Sequence, residues 1–212
     1  ASEIAETIDT IGGLLSVGAG TDLSFVNVLV MTDSFELGID LVADIARHPS
    51  FAPVEIERQR QQVLSGLQVS YEDPAYLAGV VFGRLVYGDH PYGMPHNGTP
   101  RSVLGITQDD LRAFHQTYYA PNNAQLGIVG DIDAEAAFEA AERLFGDWER
   151  KTLPPPSGAA LPEPTSRVVI IDKPGSVQTA IRVGQVGLPR ASPDFLAFDV
   201  AIKILGGEGG NR

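Results

Sequence analysis

Five prolines fall between residues 154 and 164, and nothing else in this sequence limits the fold as sharply. Proline lacks an N–H and fixes φ, so it breaks helix interiors and central strands alike. The stretch from Lys151 to Pro164 is therefore predicted to be an extended, semi-rigid linker. It divides the chain unequally. Residues 1–150 carry enough periodic apolar sequence for most of one domain. Residues 166–212 carry two short β-type runs and one helical run, too little to close a core alone. The predicted organisation is a first domain over 1–150, a linker over 151–165, and the start of a second, truncated domain over 166–212.

Upstream of the linker, Ser2 to Ile11 reads as a capped helix with Ile4, Ile8 and Ile11 on one stripe, ended by Gly12-Gly13. Leu14 to Ala19 and Leu23 to Met31 are β-branched and aliphatic runs around a turn at Gly20-Thr21-Asp22, which predicts a hairpin. A helix follows from Asp33 to Pro49, with Leu37, Leu41, Val42 and Ile45 inward. Glu55 to Gln68 is amphipathic, with Ile56, Gln59, Val63 and Gly66/Leu67 recurring at three- and four-residue steps and the arginines on the other face. Further helices are expected after Asp73-Pro74, after Thr107 and after Asp131 or Asp133, with a strand at Ala124 to Val129. Beyond the linker come strands Arg167 to Asp172 and Val177 to Val186, then a helix capped by Ser192. Strands and helices that cluster in this way predict an α+β fold with a mostly antiparallel sheet covered by helices.

Composition narrows the function classes. A net charge of −12 opposes a phosphate-binding surface, so no nucleic-acid partner is expected. No apolar run approaches the roughly 20 residues that span a bilayer. Zero cysteines rule out disulfides, thiolate catalysis and cysteine zinc sites. His90 and His96 share a glycine-rich loop with no acidic residue at helical spacing, and they read as loop-fixing residues rather than ligands. Gly206 to Gly210 follows a helix and lacks a Lys-Ser/Thr pair, so it reads as a helix end and not a phosphate cradle.

An ordered set of short motifs carries more information than any one of them. Glu55-Ile56-Glu57-Arg58, Asp73-Pro74, Tyr87-Gly88-Asp89-His90-Pro91-Tyr92-Gly93, Gly98-Thr99, Tyr119-Ala120-Pro121-Asn122-Asn123-Ala124, Val129-Gly130-Asp131 and Phe145-Gly146-Asp147-Trp148 occur in sequence. In that order they resemble the pitrilysin/insulinase-type zinc metallopeptidases, the inverzincins, which include the mitochondrial processing peptidases and bacterial zinc proteases. Gln178 and Leu205-Gly206-Gly207 resemble landmarks of the family's next domain. The resemblance implies that residues 1–150 lack a domain's N-terminal strands and zinc-motif helix, and that a His-x-x-Glu-His motif would lie upstream of residue 1.

Active members of that family carry a glutamate where this chain has Gln59 and a zinc-binding glutamate where it has Gly66. A glycine has no donor atom and a neutral amide is not a carboxylate, so no catalytic residue and no zinc site is expected in this chain. The leading expectation is a zinc-lacking subunit or half that pairs with a homologous catalytic peptidase, lines part of a closed chamber and helps bind extended peptides. Zinc is then expected in the catalytic partner. The family also implies that the first hairpin strand holds peptide along its edge, which makes Leu15, Ser16 and Val17 the groove candidates. Two alternatives stand: an active zinc metalloendopeptidase with its motif upstream of residue 1, and a structural subunit like the core proteins of the cytochrome bc complex. The expected location is the bacterial periplasm.

Overall fold

Capping chemistry and apolar spacing set most of the helices, and the computed structural model describes residues 2–156, 159–163 and 165–207. Two compact units result, one formed by residues 1–73 and 94–158 and the other by 74–93 and 159–212. The helix that follows Asp73-Pro74 thus belongs with the segment beyond the linker.

The first unit begins with α1 (Ser2–Thr10), whose Ile8 is buried while Thr7 and Thr10 fold their hydroxyls back onto the Glu3 and Glu6 carbonyls. Gly12, at φ +63°, turns the chain into β1 (Leu14–Ala19). β1 pairs antiparallel with β2 (Ser24–Leu29) in a register that sets Leu14 opposite Leu29, Ser16 opposite Asn27 and Ala19 opposite Ser24. α2 (Phe35–Arg47) lies against β2 on the face of Val28 and Val30. A Cβ at Gly38 would stand 2.9 Å from a Val30 methyl, so a side chain there would push helix from sheet. The core gathers at Ile39, Ala43 and Leu67, with Ala140 from α7 (Ala134–Phe145). Arg143 of α7 pairs with Glu36 and Asp40 of α2, and Arg47 reaches Asp147 at 2.7 Å and the Leu144 carbonyl.

α3 (Pro53–Ser70) starts with proline in its first turn, where the missing N–H leaves no helical bond unmade. α5 (Pro100–Gly105) and α6 (Gln108–Tyr118) both open on reciprocal capping boxes, Thr99 with Ser102 and Thr107 with Asp110. α7 is capped by Asp133, whose carboxylate accepts from the Glu135 and Ala136 amides, and so not by Asp131.

In the second unit, α4 (Pro74–Tyr87) is followed by the 3₁₀ turn Pro91–Gly93 and a ring cluster of Tyr87, His90 and Tyr92. Gly88 (φ +56°) makes the bend between them, and Arg84 secures it through the Gly88 carbonyl and Asp89. The second unit also holds α8 (Phe195–Ile202). The Phe82 ring lies close over Gly184 and the Phe198 ring over Gly187, so α4 and α8 each set an aromatic ring against a glycine of the segment before α8.

The arrangement is α+β, with helices dominant and an antiparallel two-stranded sheet. Three expected strands differ. Residues 124–129, 167–172 and 177–186 run without ladder partners among the described residues. Val129, Val168, Val177 and Val183 are each at least 90% exposed. Their β-branched side chains favour extended backbone, but a strand also needs a neighbour to accept its N–H and C=O groups. Ser192 is not the cap of α8, which begins at Phe195; its hydroxyl accepts instead from the Asp194 amide at 3.3 Å. A π-type turn over Lys203–Gly207 follows α8, and residues 208–210 of the glycine run lie outside the described residues.

Candidate functional site

α3 positions two of the residues singled out from the sequence. Gln59 and Gly66 are seven residues apart, so they share one helix face about 10 Å apart along the axis. Both are exposed. A Cβ built on Gly66 meets nothing within 4 Å, so an alanine would fit there without displacing a neighbour. The glycine is therefore not required by packing. Its carbonyl accepts from the Ser70 hydroxyl at 2.9 Å, an ordinary back-bond in a helix end.

The residues present do not fit a zinc ion. Gly66 contributes no donor atom, and Gln59 brings an amide that can neither balance a divalent charge nor ionise to orient a ligand. His48 and His96 border the same region but come from a helix end and a loop. His90 sits in the second unit with its ring against Tyr87 and Tyr92, and its Nδ1 lies 3.2 Å from the Tyr92 amide. That is the loop-fixing role read from the sequence. Among the described residues no group of three or more His, Cys, Asp or Glu side chains is placed to hold a metal.

Beside the N-terminal half of α3 lies a groove of about 830 Å³. Ile56, Gln59 and Val63 form one wall, and Phe51, Val103 and Ile106 form much of the rest. Glu55 and Arg58 close an ion pair of 2.6 Å at its edge, so the local charges cancel. The lining is mostly apolar with polar groups that include the Gln59 and Asn97 amides, an arrangement that can receive apolar groups and hydrogen-bond a passing polar one.

Periodicity places Arg60 on the outer face of α3, and the structure turns it inward. Its side chain is only 15% exposed. The guanidinium donates to the Val103 carbonyl and to Ile106 O at 2.8 Å, and it pairs with Glu57 at 3.0 Å. Those carbonyls lie at α5 and just past its end, so Arg60 ties α3 to the wall of the groove. The signal available in the sequence was slight: an arginine one position after Gln59 on a helix whose inward stripe is narrow. Glu57 has its carboxyl held below the usual range, first by the Gln61 amide and then by Arg60.

β1 carries the other candidates. Leu15 is half-buried, Ser16 is exposed and Val17 is 62% exposed. By alternation Leu15 and Val17 share the face that α2 covers through Val28, while Ser16 points to the opposite face. β2 occupies one edge of β1, and no strand runs along the other edge among the described residues.

Comparison with known proteins adds a direct line of evidence. The model of the family described as the peptidase M16 inactive domain matches residues 105–212. An uncharacterized zinc protease of Mycobacterium leprae is 30% identical over 158 residues, 73% of this chain and 36% of that protein. One from Mycobacterium bovis is 26% identical over 210 residues, 98% of this chain and 48% of its own length. The chain thus spans less than half the length of these relatives. Among solved structures, a peptidase M16 inactive domain from Pseudomonas fluorescens superposes with a TM-score of 0.75 at 26% identity, over 98% of this chain and 50% of that one. Pitrilysin superposes with a TM-score of 0.65 over 76% of this chain and 18% of its own, at 21% identity, a likeness of fold. By the extent of the family match, this chain belongs to the peptidase M16 inactive-domain family.

Proposed function

We propose that this chain is the zinc-lacking, non-catalytic partner of an active homologous peptidase, and that it helps hold extended peptides for that partner to cut. The observation that carries the reading is the open site at Gly66. A Cβ would meet no neighbour there, yet the position offers no side-chain donor, and Gln59 on the same face offers no charge. The match to the inactive-domain model supports the same reading. The apolar groove and the second edge of β1 at Leu15, Ser16 and Val17 are surfaces on which a peptide could be held, the latter by main-chain hydrogen bonds. Hydrolysis and the zinc that supports it then belong to the partner.

The test has two parts. Elemental analysis of the full-length protein, dialysed against micromolar zinc, should find no stoichiometric metal. Peptide cleavage by the catalytic partner should rise when the full-length form of this chain is added. One tightly held zinc per chain, or a partner equally active alone, overturns the reading. The name zinc protease carried by its relatives favours a second reading, an active zinc metalloendopeptidase. Cleavage by the purified full-length protein alone, abolished by a chelator and restored by zinc, would select it.

A further inference from the structure

The stretch Tyr119-Ala120-Pro121-Asn122-Asn123 is a landmark of the sequence that neither the groove nor the β1 edge uses. Its backbone is tightly set. Ala120 is fully buried, and Pro121–Asn123 form a single 3₁₀ turn closed by the Asn123 amide on the Ala120 carbonyl at 2.9 Å. Asn123 donates from Nδ2 back to the Tyr118 carbonyl at 2.8 Å, and the Tyr119 ring stacks on His115 at 4.6 Å between centroids. His115 is itself held, with Nε2 lying 2.8 Å from the Ala46 carbonyl at the end of α2. The turn is thereby fastened to α6, and α6 to α2.

Asn122 is directed at the start of the linker. Its Oδ1 accepts from the Lys151 amide at 3.0 Å, and its Nδ2 donates to the Lys151 carbonyl at 2.9 Å. A side-chain amide can serve both the N–H and the C=O of one backbone residue in this way, whereas a carboxylate cannot donate and an aliphatic side chain can do neither. Lys151 adds its ammonium, which donates to the Gln116 carbonyl at 2.7 Å and the Tyr119 carbonyl at 3.0 Å. These oxygens lie at the C-terminal end of α6, where carbonyls lack helical partners and the helix dipole is negative. One residue thus receives a paired backbone clamp and two charge-assisted bonds, with only Thr152 and Leu153 between it and Pro154, Pro155 and Pro156.

We propose that this stretch is a latch, with Asn122 its positioning residue, that pins the first residue of the proline-rich linker to the end of α6. The four bonds hold Lys151 on α6, although it belongs to the linker by sequence.

Hydrogen exchange resolved at single amides tests this on the full-length protein. In Asn122→Ala the Lys151 amide should exchange on the order of tenfold faster or more, since two hydrogen bonds are lost. The amides of α2 and α7 should keep their rates. Tryptic cleavage after Arg150 should accelerate in step. Asn122→Asp keeps an acceptor and loses the donor, so it should fall between the two. Lys151→Met spares the backbone clamp and should give a smaller rise than Asn122→Ala. An unchanged Lys151 amide in Asn122→Ala overturns the latch. So does an equal acceleration in α2 and α7, which would make Asn122 a support of the whole unit instead of the linker.

Discussion

Replacing Gly66 by alanine should stabilise the protein, and the reasoning is exposed to a clear failure. Gly66 lies four residues from the end of an 18-residue helix, at an ordinary helical φ, with no atom within 4 Å of an added Cβ. Glycine inside a helix is less favourable than alanine by about 0.8–1 kcal/mol, because its unfolded backbone is freer and it shields no peptide groups. Neither overpacking nor strain opposes the change here. The expected gain is therefore about 0.5–1 kcal/mol, discounted for proximity to the helix end. For a chain of this length that corresponds to a rise in Tm of roughly 1–4 °C. Urea unfolding followed by circular dichroism would register it as a higher midpoint with an unchanged slope. Gly66→Glu should gain less than alanine, since glutamate has somewhat lower helix propensity and its negative charge lies toward the negative end of the dipole. If Gly66→Ala instead lowers stability in the full-length protein by 1 kcal/mol or more, another element approaches the helix closely at this point. The glycine would then be kept for packing, and its reading as a lost ligand position would fail.

One residue further on, Leu67→Ala should be severely destabilising, by about 2–5 kcal/mol, because Leu67 is only 1% exposed and the core would be left with a cavity; the same urea series measures it. Thr107→Ala should lower stability by about 1 kcal/mol, since Thr107 caps α6 from its side chain. The Asp110 carboxyl is held below its ordinary value of 3.8, first by the Thr107 hydroxyl and then by the Thr107 amide. A depressed folded pKa contributes stability above the unfolded value and loses it as pH falls through the folded one. The advantage of wild type over Asp110→Ala, measured by urea unfolding from pH 7 to pH 3, should be constant above about pH 5 and shrink below 3.8. If the chain faces its partner across a chamber, its net charge of −12 should favour Lys/Arg-rich peptides. The gain in kcat/KM on adding it to the partner should be larger for those than for Asp/Glu-rich peptides, and should weaken with salt.

The helices were legible because their signals are local. Thr107-Gln108-Asp109-Asp110 is a capping box within four residues, and Pro74 and Gly146 mark a start and an end without reference to any other part of the chain. The short helix α5 escaped notice although Thr99-Pro100-Arg101-Ser102 carries the same kind of cap, because six residues leave no periodic stripe to read. The hairpin was legible for a related reason. Its two strands are close in sequence and supply each other's hydrogen bonds. The position of Gly66 on α3 could be read from helical spacing, but the open space around it could not, since that depends on what approaches from elsewhere. The inward turn of Arg60 belongs to the same class: its partners lie 43 and 46 residues away.

Residues 124–129 and 167–186 show what sequence propensity leaves undecided. Valine and isoleucine at 128, 129, 168, 169, 170 and 171 favour the β region through χ1 crowding, a preference each residue holds by itself. The ladder is a property of pairs, because each N–H and C=O must meet a complement at about 4.8 Å spacing along a neighbouring chain. In α6 the partner of each amide is four residues away, and the same sequence that favours the helix also supplies its bonds. Val168 and Val177 have no ladder partner among the described residues, and their apolar side chains stay exposed. A strand read from composition is thus a statement about conformation, and it becomes a statement about fold only when a second strand is brought beside it.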